Sequence, residues 1–449
     1  MGGERSRARA RSRIAGVAAF GRRHRGGRAH LRWRRLGAGA LVAGLVADRP
    51  GAASGRRAVT VRILHVLASL QHRFGGPSVS MLPLARALAR QPGFEVSVFT
   101  VGDAETDGSG PTHMVEEAGV RVTYFRAPAL APLRRRLVAP ELTAAVWRRR
   151  DEFDVVHSHG IFTFVTATSD AARLVLERPY VMRPCGVFAP WCLAQGSSLK
   201  RPFLLIVRRL LRSAAFVHCT SEAEAEDVRR IQPRARTRVI PLGVEAEEPS
   251  GARSNHVDDA PARRFEPPRL YVLFLGRLHR KKGLDLLLSA FAELVRDRPG
   301  LQLVLAGPDE GMQQPLVEAA RRFGIADAVH FTGLVTGETK GRLLAGARCL
   351  ALPSFDENFG VVVLEAAAAG TPVVVSRGVA LHSEVEAAGA GAVAGLDTRS
   401  VAARIGEVLA VPREAYAAGC ARLASRFSWE RAAGELAAAY RGLVGGGAP

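Results

Sequence analysis

The chain has 449 residues, of which 47% are apolar and 23% charged. That length and balance fit two globular domains with cores of their own and exclude a chain too polar to fold. The net charge of +21 is unevenly placed: residues 1–60 hold fifteen Arg against Glu4 and Asp48, which leaves only +8 for the other 389 residues. Basicity is therefore mostly a property of a tail, which argues against a nucleic-acid-binding fold. The five cysteines (Cys185, Cys192, Cys219, Cys349, Cys420) are odd in number and include no C-x₂-C pair. Neither a disulfide framework nor a cysteine metal site is expected, Cys219 and Cys349 read as small core residues, and a reducing, cytoplasmic compartment is the simplest inference.

Residues 1–58 are Arg-, Gly- and Ala-rich and aperiodic, and read as a disordered or spurious extension. The apolar run Leu36–Ala47 follows Arg34-Arg35, but twelve residues cannot span a bilayer. Ordered sequence is expected from Val59, with a strand VTVRILHVLAS (59–69), a glycine-bearing loop RFGGPS (73–78), a helix and a strand FEVSVFTVG (94–102). Strand, loop, helix and strand make the βαβ unit of a parallel sheet. Further strands are predicted at 120–125, 153–160, 179–184, 214–220 and 237–243, completing a first domain over 59–245.

Residues 246–268 are polar, proline-bearing and aperiodic, and read as a linker. The βα pattern restarts over 269–428, with strands at 270–276, 301–307, 328–333, 349–354, 371–376 and 391–395. A closing helix from Trp429 to Val444 lies in the final segment, 429–449. The expected fold class is α/β: two doubly wound, Rossmann-like domains facing each other across a cleft, where open α/β sheets bind ligands. Function must come from the site, because other two-domain binders share this architecture.

The sharpest signal is SFDENFGVVVLEAAAAGTPVVVS (354–376). A strand ends near Ser354, a polar loop carries Asp356, Glu357 and Asn358, and a helix is predicted from Gly360 to Ala369. Gly370 suits its C′ position and Pro372 stops it. Glu357 and Glu365, eight residues apart, would lie about 12 Å apart along a helix, comparable with the span from a donor sugar across its diphosphate to the ribose. Free N–H groups near Asn358, Phe359 and Gly360 suit a phosphate. As ordinary helix acids the two glutamates would mean little, but Glu365 amid VVVLEAAAAG needs a partner. In FLGRLHRKKGLDLLLSAF (274–291), Arg277 follows a strand-ending glycine and Lys282 precedes a helix. Both can stabilise a departing diphosphate in place of a metal, whereas Arg280 and Lys281 read as a solvated turn.

The ordered series G-R-L-x₃-K-G, LAGP, F-T-G and P-S-x₂-E-N-F-G-x₄-E-A-x₃-G-T-P-V-V resembles the group 1, family four retaining glycosyltransferases of the GT-B fold. The resemblance covers the second half, and the run Ala366–Ala369 departs from it only in bulk. It implies that Glu357 contacts the transferred sugar, Glu365 the ribose hydroxyls, and Arg277 with Lys282 the diphosphate. Retention of configuration, no cofactor and no obligatory metal are also implied. The helix beginning F-S-W-E (427–430) resembles the family's segment that crosses back onto the first domain.

The first half says less. Gly75 and Gly76 fit an ordinary βα turn; the resemblance would bring them near the donor phosphate or the acceptor. His157 and His159 share a strand face, with no third metal ligand evident, and one or both can be core histidines; by resemblance His159 lines the cleft as a catalytic residue. R-P-C-G-V-F-A-P-W (183–191) resembles polysaccharide-assembly members, so Arg183 either meets a phosphate or braces a loop. Ser221 and Glu224 form a capping box. KRPFLLIVRRLLR (200–212) fits either a peripheral helix on an anionic membrane or a core helix with a basic side, and Arg134–Arg136 and Arg148–Arg150 would extend its charge.

The leading expectation is a glycosyltransferase using a UDP- or GDP-type nucleotide-sugar and a glycan or lipid-linked glycan acceptor in surface-polysaccharide synthesis, with no nucleic-acid partner. A nucleotide-sugar epimerase of the same fold and a basic membrane- or nucleic-acid-binding protein are the alternatives.

Overall fold

The computed structural model describes residues 60–102, 110–127, 137–161, 163–172, 178–194, 200–245 and 265–445. The Arg-rich extension, Arg134–Arg136 and linker residues 246–264 lie outside the described residues.

β1 (Val61–Leu67) reads VRILHVL and is buried except at Arg62, the near-continuous apolar run of a strand covered on both faces. It is followed by β2 (Phe94–Val101), β3 (His113–Glu117), β4 (Val120–Phe125), β5 (Val155–His159), β6 (Tyr180–Arg183), β7 (Phe216–Cys219) and β8 (Thr237–Val239). These make one sheet in the order β3-β4-β2-β1-β5-β6-β7-β8. The second sheet holds β9 (Tyr271–Leu275), β10 (Gln302–Ala306), β11 (Val329–Gly333), β12 (Cys349–Leu352), β13 (Val373–Ser376) and β14 (Gly391–Ala394), in the order β11-β10-β9-β12-β13-β14. All described pairings are parallel except β3 with β4.

β3 is absent from the sequence reading. Its segment HMVEE is largely exposed and polar, an edge strand held by an antiparallel hairpin through Ala118 and Gly119, so neither apolar alternation nor a buried run marks it. Gly76 proves to be the first residue of the Gly76–Ala89 helix rather than part of a loop, with Gly75 ahead of it at φ 80°. Phe265 packs against the second domain's core, so that domain begins within the stretch assigned to the linker.

One apolar cluster fills the far face of the first sheet under Val207, Leu210 and Leu211. The other runs from the near face through the Gly76–Ala89 helix into the second domain. The Trp429–Gly445 helix belongs to this second cluster: it packs along Gly76–Ala89, and Arg441 donates to the Pro92 carbonyl at 2.8 Å. Val244 N donates to Phe427 O at 2.9 Å, so the chain's two crossings lie side by side. The closing helix thus packs where the motif F-S-W-E implied. Cys219 and Cys349 are buried core residues, as expected.

Candidate active site

Arg277 leaves the carboxyl end of β9 after Gly276, and Lys282 ends a 3-10 turn at Arg280–Lys282 whose N-cap is His279. Gly283 then adopts φ 64°, and a Cβ there would stand 2.1 Å from the Pro353 carbonyl oxygen. Only glycine lets the Leu284–Asp297 helix start directly beneath the 353–358 loop. This close approach brings Lys282 into an ion pair with Glu357. Burial pushes the Glu357 carboxyl up, but the charge and hydrogen bond of Lys282, with Lys281 and Arg277 behind it, hold it below the usual carboxylate range. Arg280 is exposed, as expected. Lys281 is not the solvated residue expected: its side chain is 17% exposed, pairs with Asp356 at 3.1 Å and donates to Cys192 Sγ at 3.4 Å.

The other two charged residues find partners that sequence reasoning missed. Arg277 donates through Nη1 to both oxygens of Glu310, at 2.7 and 3.0 Å. Glu365, on the Val361–Ala368 helix, accepts from Lys340 Nζ at 2.7 Å rather than from Arg277 or Lys282. Both missed partners come from separate strand-end segments, a proximity that no local spacing encodes.

The helix begins at Val361, with Gly360 as N-cap at φ 86°. Glu357 lies before it, bridged to Val379, its N–H donating to Gly378 O at 2.8 Å. A rise measured along a helix from Glu357 to Glu365 therefore does not apply. Asn358 Nδ2 donates to Thr220 Oγ1 at 3.0 Å across the cleft. Phe359 is 4% exposed and packs edge-on to Phe427, an anchor as much as a lining residue.

On the first domain, a Cβ on Gly75 would stand 3.0 Å from Arg277 Nε, so the first βα loop reaches Arg277 by virtue of that glycine. Arg183, at the end of β6, is 2% exposed; its side chain's one described hydrogen bond runs from Nη1 to Ser80 Oγ at 3.4 Å, and its Nε has no partner. A cavity of about 350 Å³ is bounded by Gly75, Gly76 and Arg183 on one side and by Arg277, Lys282, Glu357, Asn358, Phe359, Gly360 and Glu365 on the other. Ten of the eleven sequence-derived site residues therefore converge on one space.

The exception is His159, which is 3% exposed and lies off the cavity wall. Its Nε2 bonds His65 Nδ1 at 2.9 Å, while His157 Nδ1 bonds the Tyr440 hydroxyl at 2.7 Å. Burial, then the positive charges around them, drives the rings' pKa values down, to about 3 for His65 and His218 and well below the ordinary value for His157 and His159. A third ring does exist: His65 joins His157 and His159 with ligand atoms within 4.8 Å of one another. The sequence reading missed it because His65 sits on β1, in register with His157. A divalent cation there would lie beside the Arg183 guanidinium with no carboxylate in the cluster, so the rings read as a neutral hydrogen-bonded network.

The capping box is half kept. Ser221 Oγ accepts from Glu224 N at 3.2 Å, but the Glu224 carboxylate accepts from Gly186 N and Thr220 N, both at 2.7 Å, instead of from Ser221 N.

A model of glycosyl transferases group 1 matches residues 258–426, and one of a glycosyl transferase 4-like domain matches residues 75–243. A D-inositol 3-phosphate glycosyltransferase of Actinosynnema mirum is 30% identical over 392 residues, covering 82% of this chain and 92% of that protein. The chain belongs to the group 1 glycosyl transferases. It is a glycosyltransferase by that membership. The protein of the same name from Mycolicibacterium smegmatis is 30% identical over 385 residues, 82% of this chain and 86% of that one. Among solved structures, the sucrose-phosphate synthase of Thermosynechococcus elongatus superposes with a TM-score of 0.69 at 23% identity, over 86% of this chain and 99% of that one. Anabaena Alr3699/HepE in complex with UDP-glucose gives 0.63 at 21% identity, over 84% and 98%. Both solved structures share its GT-B architecture of two Rossmann-like domains.

Proposed function

We propose that the protein transfers a sugar from a UDP-type nucleotide-sugar to a phosphate-bearing small-molecule acceptor, with retention of configuration and without a metal. The observation that carries this is the single cavity in which Arg277, Lys282, Glu357 and Glu365 meet. Arg277 and Lys282 would neutralise the departing diphosphate, the work a metal does elsewhere. Glu365 would hold the ribose and Glu357 the transferred sugar. A retaining path follows by front-face departure and attack, a diphosphate oxygen taking the acceptor proton.

The acceptor assignment rests on Arg183, a buried guanidinium bordering the cavity beside the start of the Gly76–Ala89 helix. An anionic group on the acceptor would pair with the guanidinium where it borders the cavity. The similar D-inositol 3-phosphate glycosyltransferase of Actinosynnema mirum points the same way.

A second reading, a lipid-linked glycan acceptor in polysaccharide assembly, is favoured by the Lys200–Ser213 helix. Leu205 and Ile206 are 67% and 51% exposed beside exposed Arg208, Arg209 and Arg212, while Val207, Leu210 and Leu211 are buried. The helix thus packs in the core and still offers an apolar and basic face to an anionic bilayer. Arg149 and Arg150, held by Glu152 and Asp151, add little to it. No described helix is long and apolar enough to cross a membrane.

Incubating the full chain with UDP-glucose, UDP-N-acetylglucosamine and GDP-mannose separates the readings. UDP release that requires an inositol or sugar phosphate, survives EDTA and needs no vesicles is expected. Turnover only with a lipid-linked acceptor would replace the first reading by the second, and donor conversion without any acceptor would favour an epimerase.

A further inference from the structure

Lys340 was not singled out in the sequence, yet it borders the same cavity as Glu365 and donates to its Oε1 at 2.7 Å, both side chains being about three-quarters buried. It stands in the first turn of the Gly337–Gly346 helix, where a cation is disfavoured by the helix dipole, so its placement calls for a compensating partner. That helix follows the carboxyl end of β11 through Leu334, Val335 and Thr336, which form the adjoining cavity wall. Lys340 therefore belongs to the end of the cavity where the nucleoside rather than the sugar would lie.

We infer that Lys340 is a positioning residue for the donor's ribose. The inference rests on the donor-site reading above. A carboxylate that accepts both hydroxyls of a ribose must present its two oxygens in a fixed plane, and it must do so near a diphosphate of the same charge sign. The Lys340 ammonium meets both needs: it pins Oε1 from the helix opposite, and it cancels the charge that would otherwise repel the donor. Because Glu365 and Lys340 sit on different helices, the pair also ties the Gly337–Gly346 helix to the Val361–Ala368 helix.

The test measures binding of UDP and of 2′,3′-dideoxy-UDP by calorimetry to the full-length protein and to Lys340→Met, Lys340→Arg, Glu365→Gln and the Lys340→Met/Glu365→Gln double variant. The wild-type protein should prefer UDP by about tenfold or more, as expected when a buried hydrogen-bonding group loses its partners. Lys340→Met should weaken UDP binding by about tenfold and reduce that preference to less than about threefold, while Lys340→Arg keeps both. On the Glu365→Gln background the lysine substitution should add little, because the two act as one unit. In turnover assays the loss should fall on the donor KM far more than on kcat. Full ribose discrimination in Lys340→Met, or an equal loss with and without Glu365, would overturn the inference. A changed preference among UDP, GDP and ADP in Lys340→Met, with ribose discrimination intact, would overturn it in favour of direct contact with the base. Wild-type protein that binds no nucleoside diphosphate at all would instead remove the donor-site reading itself.

Discussion

Asn358 of the second domain donates to Thr220 Oγ1 of the first at 3.0 Å, and its side chain lies 2.6 Å from where a Cβ on Gly186 would stand. One buried carboxylate organises the receiving side of that seam: Glu224 accepts from Gly186 N, Thr220 N and Thr220 Oγ1. The loop that carries Glu357 is therefore docked onto the first domain by its next residue.

Gly186 has φ 76°, so alanine there is strained as well as obstructive. Gly186→Ala should prise Asn358 from Thr220 and lower kcat by about tenfold or more, since small misplacements of a reacting centre cost that much. Steady-state kinetics and a thermal melt check it; wild-type turnover in a folded variant would mean the seam is not needed for reaction.

Glu310 holds Arg277 Nη1 where a diphosphate is proposed to bind. The pair is about one-third exposed on each side, so removing it should change stability by less than about 1 kcal/mol. Glu310→Gln takes away a competing anion and should tighten UDP binding by about two- to tenfold. Titration calorimetry decides the sign, because weaker binding would make Glu310 a residue that aims Arg277.

Glu357 is kept ionised by Lys282 against its burial. A carboxyl whose folded pKa is depressed stabilises the fold above its unfolded pKa, and that contribution is lost as pH falls through the folded value. Lys282→Met reverses the sign: burial then dominates, the carboxyl rises, and stability is lost as pH increases. We expect a loss of about 1–3 kcal/mol at pH 7 together with a large fall in turnover. Denaturant unfolding at pH 4.5 and pH 7 checks both the size and its direction with pH.

The buried histidines among the described residues share the direction of wild-type Glu357, losing stability as pH falls. His65, His157, His159 and His218 are all held neutral below their ordinary range, chiefly by burial. The unfolded chain binds more protons below about pH 6.5, so stability falls as pH drops from there towards 3. Each histidine adds a limiting slope of about 1.4 kcal/mol per pH unit. His218→Asn removes one of them and should make the fall in Tm between pH 7 and pH 5 visibly shallower than in the wild type.

The sheets and the donor half were legible because burial on both faces writes itself as apolar runs, and because strand-end loops concentrate Gly, charged and amide residues in fixed order. Arg277, Lys282, Glu357 and Glu365 were read from that order. Their partners were not: Glu310, in a loop, and Lys340, in a helix's first turn, are ordinary charges until the fold brings their strand ends near Arg277 and Glu365. His65 failed to register as a partner of His159 because ninety-four positions separate two residues that neighbouring strands place side by side. β3 escaped for the contrary reason, being an exposed edge whose pairing owes nothing to apolar pattern.

The Tyr440 hydroxyl reaches His157 inside the first domain, and its helix covers Gly76–Ala89. A nascent chain therefore releases the whole first sheet from the ribosome while one of its covering helices is still unsynthesised. That face must wait, exposed, through translation of the entire second domain. Chaperone capture should concentrate in this interval, and premature termination just upstream of Trp429 should harm the half of the molecule made first.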